Sequence, residues 1–235
     1  MTDPLSPILR YLSILRYFPI LAIVDHMPKV EEGTTRGHRK RARTRAQLVE
    51  AGLLVLATRG EAMTITDVVT EAGVSNGTFY NYFDDIDDLR VALAERVGVS
   101  IAEAAAAEPI DDPAERFADA TARLLVMAEV DPTWGRAFLQ LSARPGSAAD
   151  MLHHARSDLD RGYHEGRFTI GAEPAALDQL TGMVMMTIRR IIDGRGDRST
   201  PAAAVQRGLE SLGVDRSEAE LLATAATADA RSRAL

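Results

Sequence analysis

The stretch Ser75-Asn76-Gly77-Thr78-Phe79-Tyr80-Asn81-Tyr82-Phe83 holds no charge and many short polar side chains. Phe79 and Phe83 stand four apart and share one face of a helix. With that face buried, Asn76, Tyr80 and Asn81 project outward. Asparagine can bond bidentately to adenine in a DNA major groove. Threonine and tyrosine hydroxyls reach phosphates or thymine methyls. Upstream lies a run of six basic residues, Arg36, Arg39, Lys40, Arg41, Arg43 and Arg45, with no acid between them. Such a run attracts an anionic polymer whatever its sequence.

The whole-chain balance would hide this. The protein has 235 residues, 46% of them apolar, and a net charge of −7. Residues 1–60 carry ten Lys/Arg against five Asp/Glu, whereas residues 61–235 carry 17 against 29. A basic arm on an acidic body points to nucleic acid bound at one end. Cysteine is absent, which excludes disulfides, thiolate metal sites and cysteine nucleophiles and fits a cytoplasmic setting. The five histidines show no metal-ligand spacing, and no phosphate-binding loop is present. Neither a metal nor a cofactor is expected, and an enzyme is the weaker of the readings.

These residues need helices to position them, and no strand pattern competes. Residues 37–59 read as one amphipathic helix, with Leu48, Gly52, Val55 and Leu56 on one face and Gly60 at its end. Thr64 opens a short helix with Asp67 as the partner of a capping box. Gly73 supplies a positive φ, and Ser75 caps a second short helix through Phe83. A longer helix starts at Asp84 or Asp85, where acids suit the N-terminal dipole, and runs to about Ala107. Four to six more follow, near 113–130, 132–143, 147–165, 173–193, 201–212 and 216–229, several opened by proline.

Residues 1–33 stand apart. Ile8–Val24 is apolar but is broken by Arg10, Arg16 and Pro19, too short a core for a spanning helix. The readings are a true start at Met27 or a disordered extension, a helix packed on the body or on a membrane surface, and a cleaved or spanning segment. The first is preferred, and a membrane partner is not expected.

From Arg43-Thr44-Arg45 to about Val97 the chain resembles the TetR family of bacterial transcription regulators. The pattern is a basic helix start, Arg59-Gly60, then T-x-x-x-V-x-x-x-A-G-V-S-x-G-T-F-Y-x-Y-F and an acidic helix start. The resemblance implies an all-α protein. A three-helix helix-turn-helix head (34–83, after the extension 1–33) would join through a connecting helix (84–107) to a C-terminal ligand-binding and dimerisation domain (108–235). It further implies a homodimeric repressor that binds a palindromic double-stranded operator and is released by an unknown small apolar or amphipathic effector. By the same resemblance, Thr44, Arg45 and Thr64 meet phosphates, Ser75, Asn76, Thr78 and Asn81 approach base edges, and Tyr80 and Tyr82 clamp the backbone. Gly77 joins this set, and Arg39, Lys40, Arg41 and Arg43 supply charge. Members often carry a lysine or arginine at the start of the fourth helix; here Ile86 stands inside Asp84-Asp85-Ile86-Asp87-Asp88, so no cation is offered to a phosphate at that point.

In the body, residues 177–192 are apolar nearly all round, so they need cover on more than one side. With the next helix they offer a dimer interface of Met185, Ile188, Arg189, Ile192, Val205, Leu209 and Leu212. Met127, Trp134, Phe138, Met151, Tyr163, Met183 and Met186 are candidate ligand contacts, since methionine and aromatic side chains adapt to varied apolar ligands. At helical spacing, plain core is the commoner role for any one of them. His153 and His154 are expected to be solvent-facing or capping.

Overall fold

The computed structural model describes residues 36–105, 110–142 and 148–234, with side chains at all of these but 36, 102–105 and 148–154. The expected extension 1–33 and the side chains of Met151, His153 and His154 lie outside the described residues. Every regular element described is helical: α1 (Arg36–Arg59), a 3₁₀ turn (Gly60–Ala62), α2 (Ile65–Ala72), α3 (Asn76–Phe79), α4 (Ile86–Ala105), α5 (Pro113–Val130), α6 (Pro132–Ser142), α7 (Ala148–His164), α8 (Pro174–Ile192), α9 (Thr200–Ser211) and α10 (Arg216–Arg233). None of the described helices is long and apolar enough to cross a membrane. The chain divides into two units, residues 1–45 and 46–235.

Local chemistry sets the helix starts. Asp112 accepts the Glu115 N–H at the head of α5, Asp131 accepts the N–H groups of Thr133 and Trp134 ahead of α6, and Asp215 accepts Ser217 N–H ahead of α10. Each satisfies amides that the first turn leaves without partners. Prolines 113, 132, 174 and 201 stand in first turns, where the missing N–H costs nothing.

Helix α5 is the hub of the body, packing on α4, α6, α7, α8, α9 and α10. Its buried face includes Ala114, Ala118, Ala122 and Ala128 with Leu125 and Val126. Helices α5 and α10 run parallel, and ion pairs hold them at both ends. At one end Arg167 donates to Asp112 (2.7 and 3.2 Å) and to Glu218 (2.6 Å). At the other, Arg231 grips both Glu129 oxygens at 2.9–3.1 Å. These geometries are bidentate and only partly solvated, the form in which an ion pair contributes measurably.

The Arg167 hydrogen bond holds the Asp112 carboxyl below its ordinary value of 3.8, with the Glu115 N–H acting in the same direction. A depressed carboxyl stabilises the folded chain fully above that ordinary value and loses its contribution as pH falls through the lowered one. Replacing Arg167→Met should cost about 1.5–3 kcal/mol at neutral pH. The gap between wild-type and variant urea-unfolding free energies should close as the pH drops below 3.8.

Candidate functional site

In the first unit, residues 37–43 and 45 are exposed along α1, and the Thr44 hydroxyl donates to the Lys40 carbonyl at 3.1 Å. The basic side chains Arg39, Lys40, Arg41, Arg43 and Arg45 therefore stand on a solvent-facing stretch of helix.

In the second unit, α2 and α3 form a helix-turn-helix. The capping box expected at Thr64 is complete: its hydroxyl accepts Asp67 N–H (3.2 Å) and donates to Asp67 Oδ2 (2.7 Å), which also accepts Thr64 N–H (3.1 Å). The Thr64 hydroxyl holds the Asp67 carboxyl below the usual carboxylate range, and Arg59 adds attraction at 3.3 Å. Thr64, expected to meet a phosphate, thus spends its hydroxyl inside the cap. Gly73 closes α2 at φ 66°, a left-handed conformation that a Cβ would strain. From α1, the Gln47 side-chain amide donates to the Ala72 carbonyl at 2.6 Å. Gln47 was not among the expected residues, because an exposed helical glutamine carries no sequence signal for a partner 25 positions away.

The expected second helix is shorter than its pattern. Regular α-geometry stops at Phe79, and Tyr80–Tyr82 continue as a turn. There, Asn81 and Tyr82 N–H bond to Thr78 and Phe79 carbonyls three residues back, which tightens the coil. Phe79 and Phe83 are buried with rings 5.5 Å apart, as their spacing requires. Ser75, Asn76, Gly77, Tyr80 and Asn81 are exposed, Tyr80 to 59%, while Thr78 and Tyr82 are half-buried. Ser75 Oγ accepts Thr78 N–H at 3.1 Å and lies 3.0 Å from the Thr78 hydroxyl.

Gly73-Val74-Ser75-Asn76-Gly77 also has the Gly-x-Ser-x-Gly spacing of a hydrolase nucleophile turn. That chemistry needs a strand running into a helix. Here the serine lies between two helices and caps the second. The acids ahead of α4 are likewise structural: Asp85 accepts the N–H groups of Asp87 and Asp88, Asp88 accepts that of Asp84, and Asp87 pairs with Arg90 at 2.8 Å.

The head is tied to the body by side chains. Arg90 of α4 donates to the Glu61 carbonyl at 3.0 Å, and Arg96 meets Glu50 of α1 at 3.4 Å. The Gln140 amide of α6 lies against Gly60.

A cavity of about 130 Å³ lies within the body. Its walls come from Ile101 of α4, Phe117 and Leu124 of α5, Phe138 of α6, Leu159 of α7, Phe168, and Leu177, Leu180, Val184 and Met185 of α8. Of the expected ligand-binding residues, Phe138 lines it. Trp134 stands behind, stacked on Phe138 at 5.2 Å. Met127 and Met183 pack half-buried on the core, and Tyr163 and Met186 face solvent. Spacing could not separate these, because wall and core residues have the same apolar character.

The expected dimer set is also divided. Ile188, Val205, Leu209 and Leu212 are at most 1% exposed and fill the chain's own core, so they are not an outward surface. Met185 lines the cavity and Ile192 packs half-buried on the core. Arg189 is exposed and meets Asp193 at 3.4 Å, and Met186 is 67% exposed. Of the α8 residues expected at the interface, Met185 and Ile188 face inward and Arg189 outward: a helix apolar nearly all round does not reveal which side faces its own domain. Among the described residues no group of His, Asp or Glu is placed to hold a metal ion.

Two family models match the chain. The model for bacterial regulatory proteins of the tetR family covers residues 48–93, and that for the tetracyclin repressor-like C-terminal domain covers residues 112–225. The chain is 33% identical over 105 residues to the HTH-type transcriptional repressor LfrR of Mycolicibacterium smegmatis, a match spanning 44% of this chain and 50% of that protein. It is similar to the crystal structure of RolR in complex with resorcinol, with 31% identity, a TM-score of 0.57, and coverage of 79% of this chain and 95% of that one. It shares the fold of TylP, a TetR regulator from Streptomyces fradiae, at a TM-score of 0.63 and 21% identity over 86% of this chain and 100% of that one.

Gly77 gives the interface a test. A Cβ there would meet only Ser75 Oγ, at 3.8 Å, so nothing inside the protein demands glycine. A bare backbone instead admits close approach from outside. Gly77→Ala should leave thermal stability unchanged or raise it by up to about 1 kcal/mol. The same variant should bind its preferred duplex DNA at least tenfold more weakly in a gel-shift titration.

Proposed function

The chain belongs to the TetR family of bacterial regulatory proteins, and from that premise we propose a repressor that binds a palindromic operator as a homodimer and lets go when a small molecule fills the body cavity. It is a DNA-binding transcriptional regulator, acting by binding rather than by catalysis. The carrying observation is the helix-turn-helix whose second element buries Phe79 and Phe83 while Asn76, Tyr80 and Asn81 stand exposed. Asn76 and Asn81 are the candidates for base edges. Ser75 and Thr78 approach as a bonded pair, Tyr80 and Tyr82 meet the DNA backbone, and Arg39–Arg45 with Thr44 supply phosphate attraction.

A two-fold dimer presents two such elements to half-sites one or more helical turns apart. The exposed side of α8, with Met186 and Arg189, suits a second copy. The cavity suits a compact apolar effector, and the resorcinol bound by RolR, a protein 31% identical to this chain, supports that reading. A ligand there touches Phe138 on α6 and Ile101 on α4. Those two helices also hold Gln140 on Gly60 and Arg90 on Glu61. A ligand that favours a different setting of α4 and α6 therefore shifts the head away from its DNA-bound arrangement.

Selecting bound fragments from genomic DNA tests the repressor reading. A recovered near-palindrome is the expected result, and a purified protein with no sequence preference overturns it. Alanine at Arg39, Lys40 and Arg41 together should weaken binding to every sequence alike. It should also flatten the slope of log K against log[salt] by about 0.9 for each phosphate that is no longer neutralised.

A further inference from the structure

We propose that the body cavity selects a neutral single-ring molecule carrying a hydrogen-bond donor, such as a phenol, and turns away carboxylates. The inference rests on reading this cavity as the effector site, and adds the chemical class of what enters it. Size sets the first limit. About 130 Å³ is close to the roughly 150 Å³ of an apolar cavity known to take benzene, so the enclosed space suits one ring.

Polarity sets the second limit. Among the described lining residues there is no Lys, Arg or His, and the polar side chains are Thr121, Thr181 and Asp158. Arg116 lies beside Asp158 at 3.6 Å, beyond hydrogen-bond length. Its Nε and Nη2 are drawn instead to the Ile110 carbonyl, at 3.2 and 2.6 Å. Asp158 therefore keeps its capacity to accept, while Arg116 balances much of its charge at a distance. Asp158 and Arg116 stand at the partly solvated rim, with 31% and 30% of their side chains exposed, and a ligand carboxylate there would meet the Asp158 carboxylate ahead of an Arg116 guanidinium turned to the Ile110 carbonyl. A ligand ammonium would lose hydration against the apolar lining, and Arg116 beside Asp158 offsets part of the attraction it would gain there. A neutral O–H or N–H finds an ionised acceptor, the stronger class of hydrogen bond. An apolar ring without a donor leaves these polar groups unanswered.

The test is calorimetric titration of the full-length protein with phenol, benzene, benzoate and benzylamine, alongside Trp134 fluorescence. Trp134 is the sole tryptophan and stacks on the cavity residue Phe138, so a ring in the cavity should alter its emission. Phenol should bind saturably and at least tenfold more tightly than benzene or benzylamine, and benzoate should not bind. Asp158→Asn should lower phenol affinity at least tenfold and shrink the gap to benzoate. Ala120→Leu, which adds bulk to the lining, should abolish the phenol signal while DNA binding and thermal melting stay intact. Benzoate, benzylamine or benzene binding as tightly as phenol overturns the proposal, as does a failure of every probe to bind or a phenol affinity that survives Ala120→Leu. Phenol binding that leaves the protein–DNA complex intact supports the ligand class and overturns the effector role. Release of DNA by a carboxylate does the reverse.

Discussion

A helix can touch six others only if its own side chains let them come close. That is the condition α5 meets, with alanines at 114, 118, 122 and 128 among its buried positions. Larger residues there would push the surrounding helices apart, and the body would lose both its packing and its cavity. Parallel packing of α5 and α10 brings like ends of two helix dipoles together. The tips are held by paired charges: Arg167 joins Asp112 and Glu218 at the N-terminal ends, and Arg231 joins Glu129 at the C-terminal ends. The Arg167 and Arg231 clamps bind these ends together, so the hub is braced by packing along its length and by ion pairs at its tips.

The head is built on a different economy. Helices α2 and α3 are too short to be stable alone, and the start of each is held by a hydroxyl or carboxylate, Thr64 with Asp67 and Ser75 with Thr78. Gln47 adds a strut from α1 to the end of α2. The acids before α4, which look hostile to DNA, cap their own helix and engage Arg90. Side chains with functional types are therefore often occupied by architecture, and the exposed pair Asn76 and Tyr80 stands out by contrast.

Short-range rules are legible in the sequence. The caps at Thr64 and Ser75, the left-handed turn at Gly73, the buried Phe79–Phe83 pair and the proline-opened helices α6, α8 and α9 follow from them, and the structure has these. Long-range arrangement is not legible in the same way. Periodicity identifies α8 as apolar on several sides but cannot rank those sides, so Ile188 reads as outward and Met186 as inward, the reverse of their places. Nor can it tell a cavity wall such as Leu177 from a core residue such as Trp134. The distinction depends on the space left between helices, not on residue type.

The hydroxyl pair of Ser75 and Thr78 carries a last consequence. Their oxygens lie 3.0 Å apart, and Ser75 also caps the Thr78 amide, so the two side chains orient each other. If both approach base edges as proposed, they do so through a shared geometry. The DNA positions beneath them would then not be independent letters: the preference at one would shift with the base at its neighbour, and a position-by-position table of preferences would misjudge that part of a bound site.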